Sequence, residues 1–141
     1  MLTENVIEVE KHVQAACDRA GRSRDEVTLI AVSKTKPVEM IEEVMTAGIV
    51  GFGENKPQEL RDKYEVLPQN LRFHMIGHLQ TNKIKYVIDR VVLIHSIDSI
   101  HLAEAVNAEA KKHNRIMPVL VEVNVAQEES KSGFLVEKTE N

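Results

Sequence analysis

The stretch Thr28–Pro37, TLIAVSKTKP, decides how the rest of the chain is interpreted. Its four consecutive apolar residues end abruptly at Ser33 and Lys34, which is typical of a strand buried on both faces of a parallel sheet. Pro37 suits a first helical position, and apolar residues then recur at helical spacing until Gly48. Lys34 is therefore predicted at the carboxyl end of a core strand, where parallel sheets and barrels build their sites.

Two roles for Lys34 are open. A lysine at a strand end often lays its stem along apolar surface and reaches solvent, which is a purely structural role. The other role is Schiff-base chemistry, in which a neutral ε-amine attacks an aldehyde. Such an amine has to be desolvated or to lie near another positive charge, because either condition lowers the pKa of a lysine. Lys36 would share a face with Lys34 if the extended conformation persisted to Pro37.

Composition describes an ordinary folded protein of 141 residues, 43% of them hydrophobic and 28% charged, with a net charge of -4. We expect a single domain over 1–141. The mild negative charge argues against nucleic acid or an anionic membrane as a main partner. The single cysteine, Cys17, can form no internal disulfide and favours the cytoplasm. No apolar run reaches membrane length, and the polar N-terminus is not typical of a signal peptide.

Alternating patterns predict β/α units after a leading amphipathic helix over residues 2–20 that ends at Gly21. Strands are predicted from about residue 28 and over 49–52, 71–76, 91–94 and 118–125. Helices are predicted from Pro37 to Gly48, from Asn55 to Leu67, over 79–88 and from Asp98 to Ala110. The spacing of about twenty to twenty-five residues is that of β/α units. An open doubly wound sheet and part of a barrel are both compatible with it, because the sequence does not show strand order.

Two motifs are rejected on their spacing. GFGENK at Gly51 begins like a dinucleotide fingerprint, but Lys56 stands where its third glycine should be. His74 and His78 are four residues apart without the glutamate of a metalloprotease helix, so no metal site is predicted. Asn55 is predicted to cap the following helix, and a cap at the end of a strand also lies close enough to touch a ligand.

The loop EESKSGF, residues 128–134, is polar and has Lys131 at its centre. Loops of this kind are usually only solvated. As part of a site, Lys131 would meet an anion or a carbonyl, and the small residues Ser130, Ser132 and Gly133 would allow close backbone approach. The residues alone leave both roles open.

Four blocks of the sequence carry a resemblance to a known family. AVSKTKP, FGENKPQE, HMIGHLQTNK and VNVAQEESKSG resemble, in order and at similar spacing, blocks of the pyridoxal phosphate homeostasis proteins of the YggS/PROSC type, over about residues 27–134. The resemblance implies an α/β fold, the (β/α)8 TIM barrel of the alanine racemase N-terminal type. This chain would contain about five of its strands and the leading helix. The implied cofactor is pyridoxal 5'-phosphate, held as a lysine aldimine.

The resemblance also assigns roles to individual residues. It places the aldimine at Lys34 and a ring-side contact at Asn55, with Lys36 and Lys131 as secondary contacts that assist cofactor exchange. It implies no catalytic residue and no metal, since the family stores, delivers or limits the cofactor instead of turning over a substrate. The implied function is intracellular vitamin B6 homeostasis in the cytoplasm, with client apo-enzymes as partners.

The chain departs from the family pattern in two ways. Lys56 and Pro57 stand where relatives commonly have tyrosine and valine. Family members are considerably longer, and the phosphate cup and arginine of their last three β/α units do not occur before Asn141. Five strands cannot close an eight-stranded barrel, so we expect unpaired edges on the first and fifth strands, through which chains would self-associate.

Two alternatives to cofactor homeostasis are kept. One is a fold-type III racemase or decarboxylase. A racemase of this type needs a second acid/base, usually a tyrosine that an extra β domain of a partner subunit contributes, and here Tyr64 and Tyr86 both fall within helical patterns. The other is a fragment that binds no cofactor.

Overall fold

The structure is a computed structural model that describes residues 1–128 and 132–136. Its helices are α1 (Leu2–Ala20), α2 (Val38–Thr46), α3 (Pro57–Val66) and α4 (Ile100–Lys112), with short 3-10 segments at Arg24–Glu26 and Thr81–Tyr86. Its strands are β1 (Ile30–Val32), β2 (Gly51–Glu54), β3 (Arg72–Met75), β4 (Val91–Ile97) and β5 (Val119–Val121). No helix in this part of the chain combines the length and apolar character needed to cross a bilayer.

The strand order settles the choice that the sequence left open. Each strand pairs in parallel with the next one along the chain, in the order β1-β2-β3-β4-β5. A doubly wound sheet reverses its strand order at a switch point, and these five strands show no reversal. The predicted α/β barrel architecture is confirmed as a partial TIM-barrel-like fold. Strands β1 and β5 form the two edges of this sheet, as expected.

One face of the sheet, here called the outer face, packs against the helices. Phe52, Phe73, Met75 and Ile94 lie on it, and each is at most 1% exposed. The ring of Phe73 lies 6.4 Å from that of Phe52 and 6.3 Å from that of Tyr64 on α3. Buried helix residues such as Ile41 and Leu60 complete this core. The outer face therefore contains the main apolar packing of the chain.

The opposite face, here called the inner face, is covered less evenly. Val32 of β1 is 55% exposed, whereas His74 of β3 is only 6% exposed. The expectation that the first strand is buried on both faces is therefore wrong, because none of the three β1 residues is fully buried. The inner face includes Ile30, Val32, Gly51, Gly53, Arg72, His74, Ile76, Leu93 and His95.

Several local predictions are confirmed and others need correction. Helix α1 ends at Gly21 in the left-handed conformation, with φ 68°, as predicted. The helix predicted over 79–88 is only the 3-10 segment Thr81–Tyr86. Its Thr, Asn and β-branched residues are weak helix formers in so short a segment. Helix α4 is capped by Ser99, whose side chain accepts from the backbone N–H of Leu102, and the predicted cap Asp98 is wrong.

Candidate functional site

The predicted site residues lie at the carboxyl ends of neighbouring strands. Val32 of β1 is in register with Gly53 of β2. Lys34 and Asn55 each follow two residues later, so they occupy corresponding positions beyond the two strands. The fold thus brings the two residues to the same edge, as the sequence predicted.

Lys34 lies in a tight turn and not in extended chain. The turn is formed by Lys34 and Thr35, and Thr35 has a left-handed φ of 59°. The extended conformation therefore ends before Lys36, and the condition for the two lysines to share a face is not met. Lys36 lines a shallow groove with Met40 and Val44 of α2. The Lys34 side chain is exposed, and its Nζ has no hydrogen bond or ion pair with any described residue.

Beneath this turn lies a buried ionic network. The ammonium of Lys63 on α3 lies 2.8 Å from Oε1 of Glu54 and 3.0 Å from Oε2 of Glu59. The side chains of Lys63 and Glu54 are only 7% and 0% exposed. Lys63 also donates to the carbonyl of Ser33 at 2.7 Å, and the Ser33 hydroxyl donates to Glu54 at 2.6 Å. The sequence interpretation missed this network, although Glu54 and Lys63 stand within or near the motif that contains Asn55.

Asn55 has a buried side-chain oxygen without a partner. Its Oδ1 makes no hydrogen bond in the described part of the chain. The predicted helix cap is wrong, because helix α3 starts one residue later, with Lys56 at the cap and Pro57 at the first position. Pro57 has no N–H to be capped and its fixed φ starts the helix unaided. A buried polar atom without a partner is unfavourable, so Oδ1 is suited to accept a hydrogen bond from a bound ligand.

Gly77 keeps Asn55 in this position. A Cβ at residue 77 would lie 2.4 Å from the Cβ of Asn55 and 3.0 Å from its Cα, so only glycine fits without a shift. The carbonyl of Gly77 accepts from the Ser96 hydroxyl at 2.6 Å. The sequence pattern predicts a strand over 71–76 and gives no sign of this role for Gly77.

The two histidines that were tested for a zinc motif have separate partners. Nδ1 of His78 lies 3.1 Å from Asp98, whereas Nδ1 of His74 lies 3.0 Å from Nε2 of His95. Burial lowers the pKa of His74, and the neighbouring His95 and Arg72 lower it further. Burial also lowers the pKa of His95. Within residues 1–128 and 132–136, no three potential metal ligands form a cluster.

Residues 132–134 lie against the segment that follows β5, where Phe134 forms a bridge with Val123. Lys131 lies outside the described residues, so its predicted contact is not tested. Beside it, the Ser132 hydroxyl donates to Glu122 at 2.7 Å. Gly133 has φ 119°, and a Cβ there would lie 3.1 Å from the carbonyl oxygen of Glu122. The small residue thus allows close backbone approach, here to the chain itself.

This site combines an amine and an acceptor at one edge of the sheet. Lys34 has an exposed amine with no described partner, and Asn55 has a buried, unpaired acceptor in Oδ1. Such a pair is suited to an aldehyde ligand that also carries a hydrogen-bond donor. A nicotinamide or flavin fingerprint is not formed, because Gly51 and Gly53 lie within strand β2 and not in a turn before a helix.

Comparison with known proteins identifies the family. The family model described as "Alanine racemase, N-terminal domain" matches residues 6–141. A pyridoxal phosphate homeostasis protein of Aquifex aeolicus is 46% identical over 131 residues, which is 92% of this chain and 58% of the relative. The protein of the same name from Escherichia coli K12 is 39% identical over 137 residues, again covering 58% of the relative. The chain thus spans less than two thirds of the length of these curated relatives.

Solved structures agree with the sequence comparison. A protein from Bifidobacterium adolescentis is 38% identical with a TM-score of 0.87, and the match covers 94% of this chain and 58% of that protein. PipY of Synechococcus elongatus, in a structure with PLP bound, is 33% identical with a TM-score of 0.68, over 86% of this chain and 57% of PipY. The chain therefore belongs to the alanine racemase N-terminal domain family, and the resemblance to pyridoxal phosphate homeostasis proteins drawn from its four sequence blocks is confirmed.

Proposed function

We propose that this protein binds pyridoxal 5'-phosphate covalently through Lys34 and serves vitamin B6 homeostasis in the cytoplasm. The observation that carries the proposal is the unpartnered Lys34 amine at the same sheet edge as the buried, unpaired Oδ1 of Asn55. The names of the relatives and the PLP-bound PipY structure support this choice of ligand.

The bound cofactor would supply an aldehyde, and Lys34 would form a Schiff base with it. Nζ of Lys34, once deprotonated, would be the atom that bonds to the aldehyde carbon, and the aldehyde oxygen would leave as water with the two protons of the neutral amine. No oxidant or reductant is needed. Asn55 accepts a hydrogen bond at Oδ1 and so fixes the orientation of the ligand. Lys36 and Lys131 are proposed as secondary contacts during transfer of the cofactor to client apo-enzymes.

The two tyrosines of this chain do not support the racemase alternative. Tyr64 packs its ring against Phe73 on the outer face, away from Lys34. Tyr86 lies in a 3-10 segment, where the cations of Arg61, Lys83 and Lys85 lie within 5.7 Å of its ring. Neither tyrosine is placed to serve as a second acid/base at the inner face.

The test is to add pyridoxal 5'-phosphate to the chain, record the visible absorbance band, reduce with borohydride and map the fixed adduct by mass spectrometry. We expect the adduct at Lys34 and its loss in Lys34→Ala. Lys11→Ala, on the exposed surface of α1, is the matched control and should keep both the band and the adduct. An undiminished band in Lys34→Ala would contradict the proposal, as would an adduct spread over surface lysines of the wild type.

A further inference from the structure

We infer that Glu59 and Lys63 are positioning residues that aim Lys34, by holding the peptide groups on both sides of it. This inference rests on the proposed function of Lys34. It concerns residues of helix α3, and neither of them has to touch the ligand.

The two peptide groups next to Lys34 are each held by one of these side chains. On the preceding side, Nζ of Lys63 donates to the carbonyl of Ser33 at 2.7 Å. On the following side, the backbone N–H of Thr35 donates to Oε2 of Glu59 at 2.9 Å. Lys63 and Glu59 are themselves paired at 3.0 Å, one helical turn apart on α3. The backbone of Lys34 is thus clamped from one helix.

The clamp holds a backbone conformation that the sequence alone disfavours. Thr35 is a β-branched residue with φ 59°, in the left-handed region that such residues rarely adopt. Unfavourable conformations of this kind persist where the surrounding structure imposes them, and they cluster at functional sites. Since the side chain of Lys34 has no described partner of its own, only its backbone determines the direction in which its stem leaves the turn.

The network is better suited to positioning than to stability. Burying Lys63 against Glu54 costs desolvation of two charges, and apolar side chains of similar volume are often at least as stabilising as a buried ion pair. Oε1 of Glu59 is also buried without a hydrogen-bond partner in the described chain. A network that served stability alone would be expected to satisfy this oxygen. What the network does supply is two directed hydrogen bonds to the turn.

The first measurement is amide hydrogen exchange at Thr35, followed by NMR without any cofactor. The Thr35 amide donates to a carboxylate, and Glu59→Ala removes this hydrogen bond. We therefore expect amide exchange at Thr35 to become about tenfold faster. Glu59→Gln keeps an acceptor oxygen and should change exchange less than about threefold. Glu65→Ala, on the exposed side of α3, is the matched control and should leave exchange at Thr35 unchanged. Unchanged exchange in Glu59→Ala would overturn the inference.

The second measurement is the rate of borohydride-trapped modification of Lys34 by pyridoxal 5'-phosphate. We expect Glu59→Ala to slow it about tenfold, Glu59→Gln to recover most of the rate and Glu65→Ala to match the wild type. Urea unfolding of each variant shows whether the chain is still folded. If the wild type is modified at Lys34 and folded Glu59→Ala reacts equally fast, the positioning role is wrong. If the wild type is not modified at Lys34 at all, the proposed function fails and the inference fails with it.

Discussion

The outer and inner faces of the sheet are built from alternating residues of the same strands, yet they differ in what covers them. On the outer face Phe52 and Phe73 are 1% exposed and lie under helices. On the inner face Val32 is half-exposed, and glycines take the place of large side chains in β2. The comparison teaches that large apolar side chains hold the outer face, whereas the inner face carries glycines and histidines and leaves Val32, close before Lys34, half-exposed.

The largest expected effect tests this difference in packing directly. Phe73→Ala removes a buried ring from the outer face and should lower the free energy of unfolding by about 3–5 kcal/mol. Val32→Ala removes two methyl groups from the open inner face and should lower it by only about 0.5 kcal/mol. Urea unfolding of both variants measures the contrast. Similar losses in the two variants would mean that the inner face is covered after all.

A smaller effect is expected at Gly77, where an added Cβ would meet Asn55. Gly77→Ala would place a Cβ against the Cα and Cβ of Asn55, so the backbone has to move, at a cost of about 1–3 kcal/mol. Gly51→Ala is the matched control, because its added Cβ would meet only ordinary contacts at 3.6 Å or more. We expect its free energy of unfolding to stay within about 1 kcal/mol of the wild type. Equal stability of the two variants would contradict a special role of Gly77 in placing Asn55.

The same difference between the faces explains what the sequence could predict of the fold. The alternation of strands and helices is predicted by the local spacing of apolar residues, and these residues are buried on the outer face. Burial of β1 on both faces was predicted wrongly, because an apolar run such as residues 29–32 does not show whether anything covers its second side. The strand order was left open for a related reason: pairing between strands depends on contacts distant in sequence.

The site was predictable in position but not in detail. Lys34 and Asn55 follow apolar strands, and the carboxyl ends of parallel strands meet at one edge. The buried ionic network was missed because its residues are distant in sequence. Ser33, Glu54 and Lys63 come together only through the register of β1 with β2 and the packing of α3. The prediction that Asn55 caps α3 was wrong by one residue, because Pro57 determines where this helix begins. Helix boundaries of this kind are decided by competing local signals.

The smallest expected effect concerns the histidine pair of the inner face. Burial lowers the pKa of His74 and of His95, so the unfolded chain takes up these protons near pH 6.5 while the folded chain resists them. Their contribution to stability is therefore present above about pH 6.5 and is lost as the pH falls toward the lowered pKa values. For each histidine, the free energy of unfolding can fall by at most about 1.4 kcal/mol per pH unit. Because His95 is partly exposed, we expect a slope below this limit. In urea unfolding between pH 7.5 and 5.5, the free energy of unfolding should fall less steeply in His74→Gln/His95→Gln than in the wild type. His101→Gln, on the exposed surface of α4, is the control and should keep the wild-type slope. An identical slope in the double variant would show that these two histidines do not resist protonation in the folded chain.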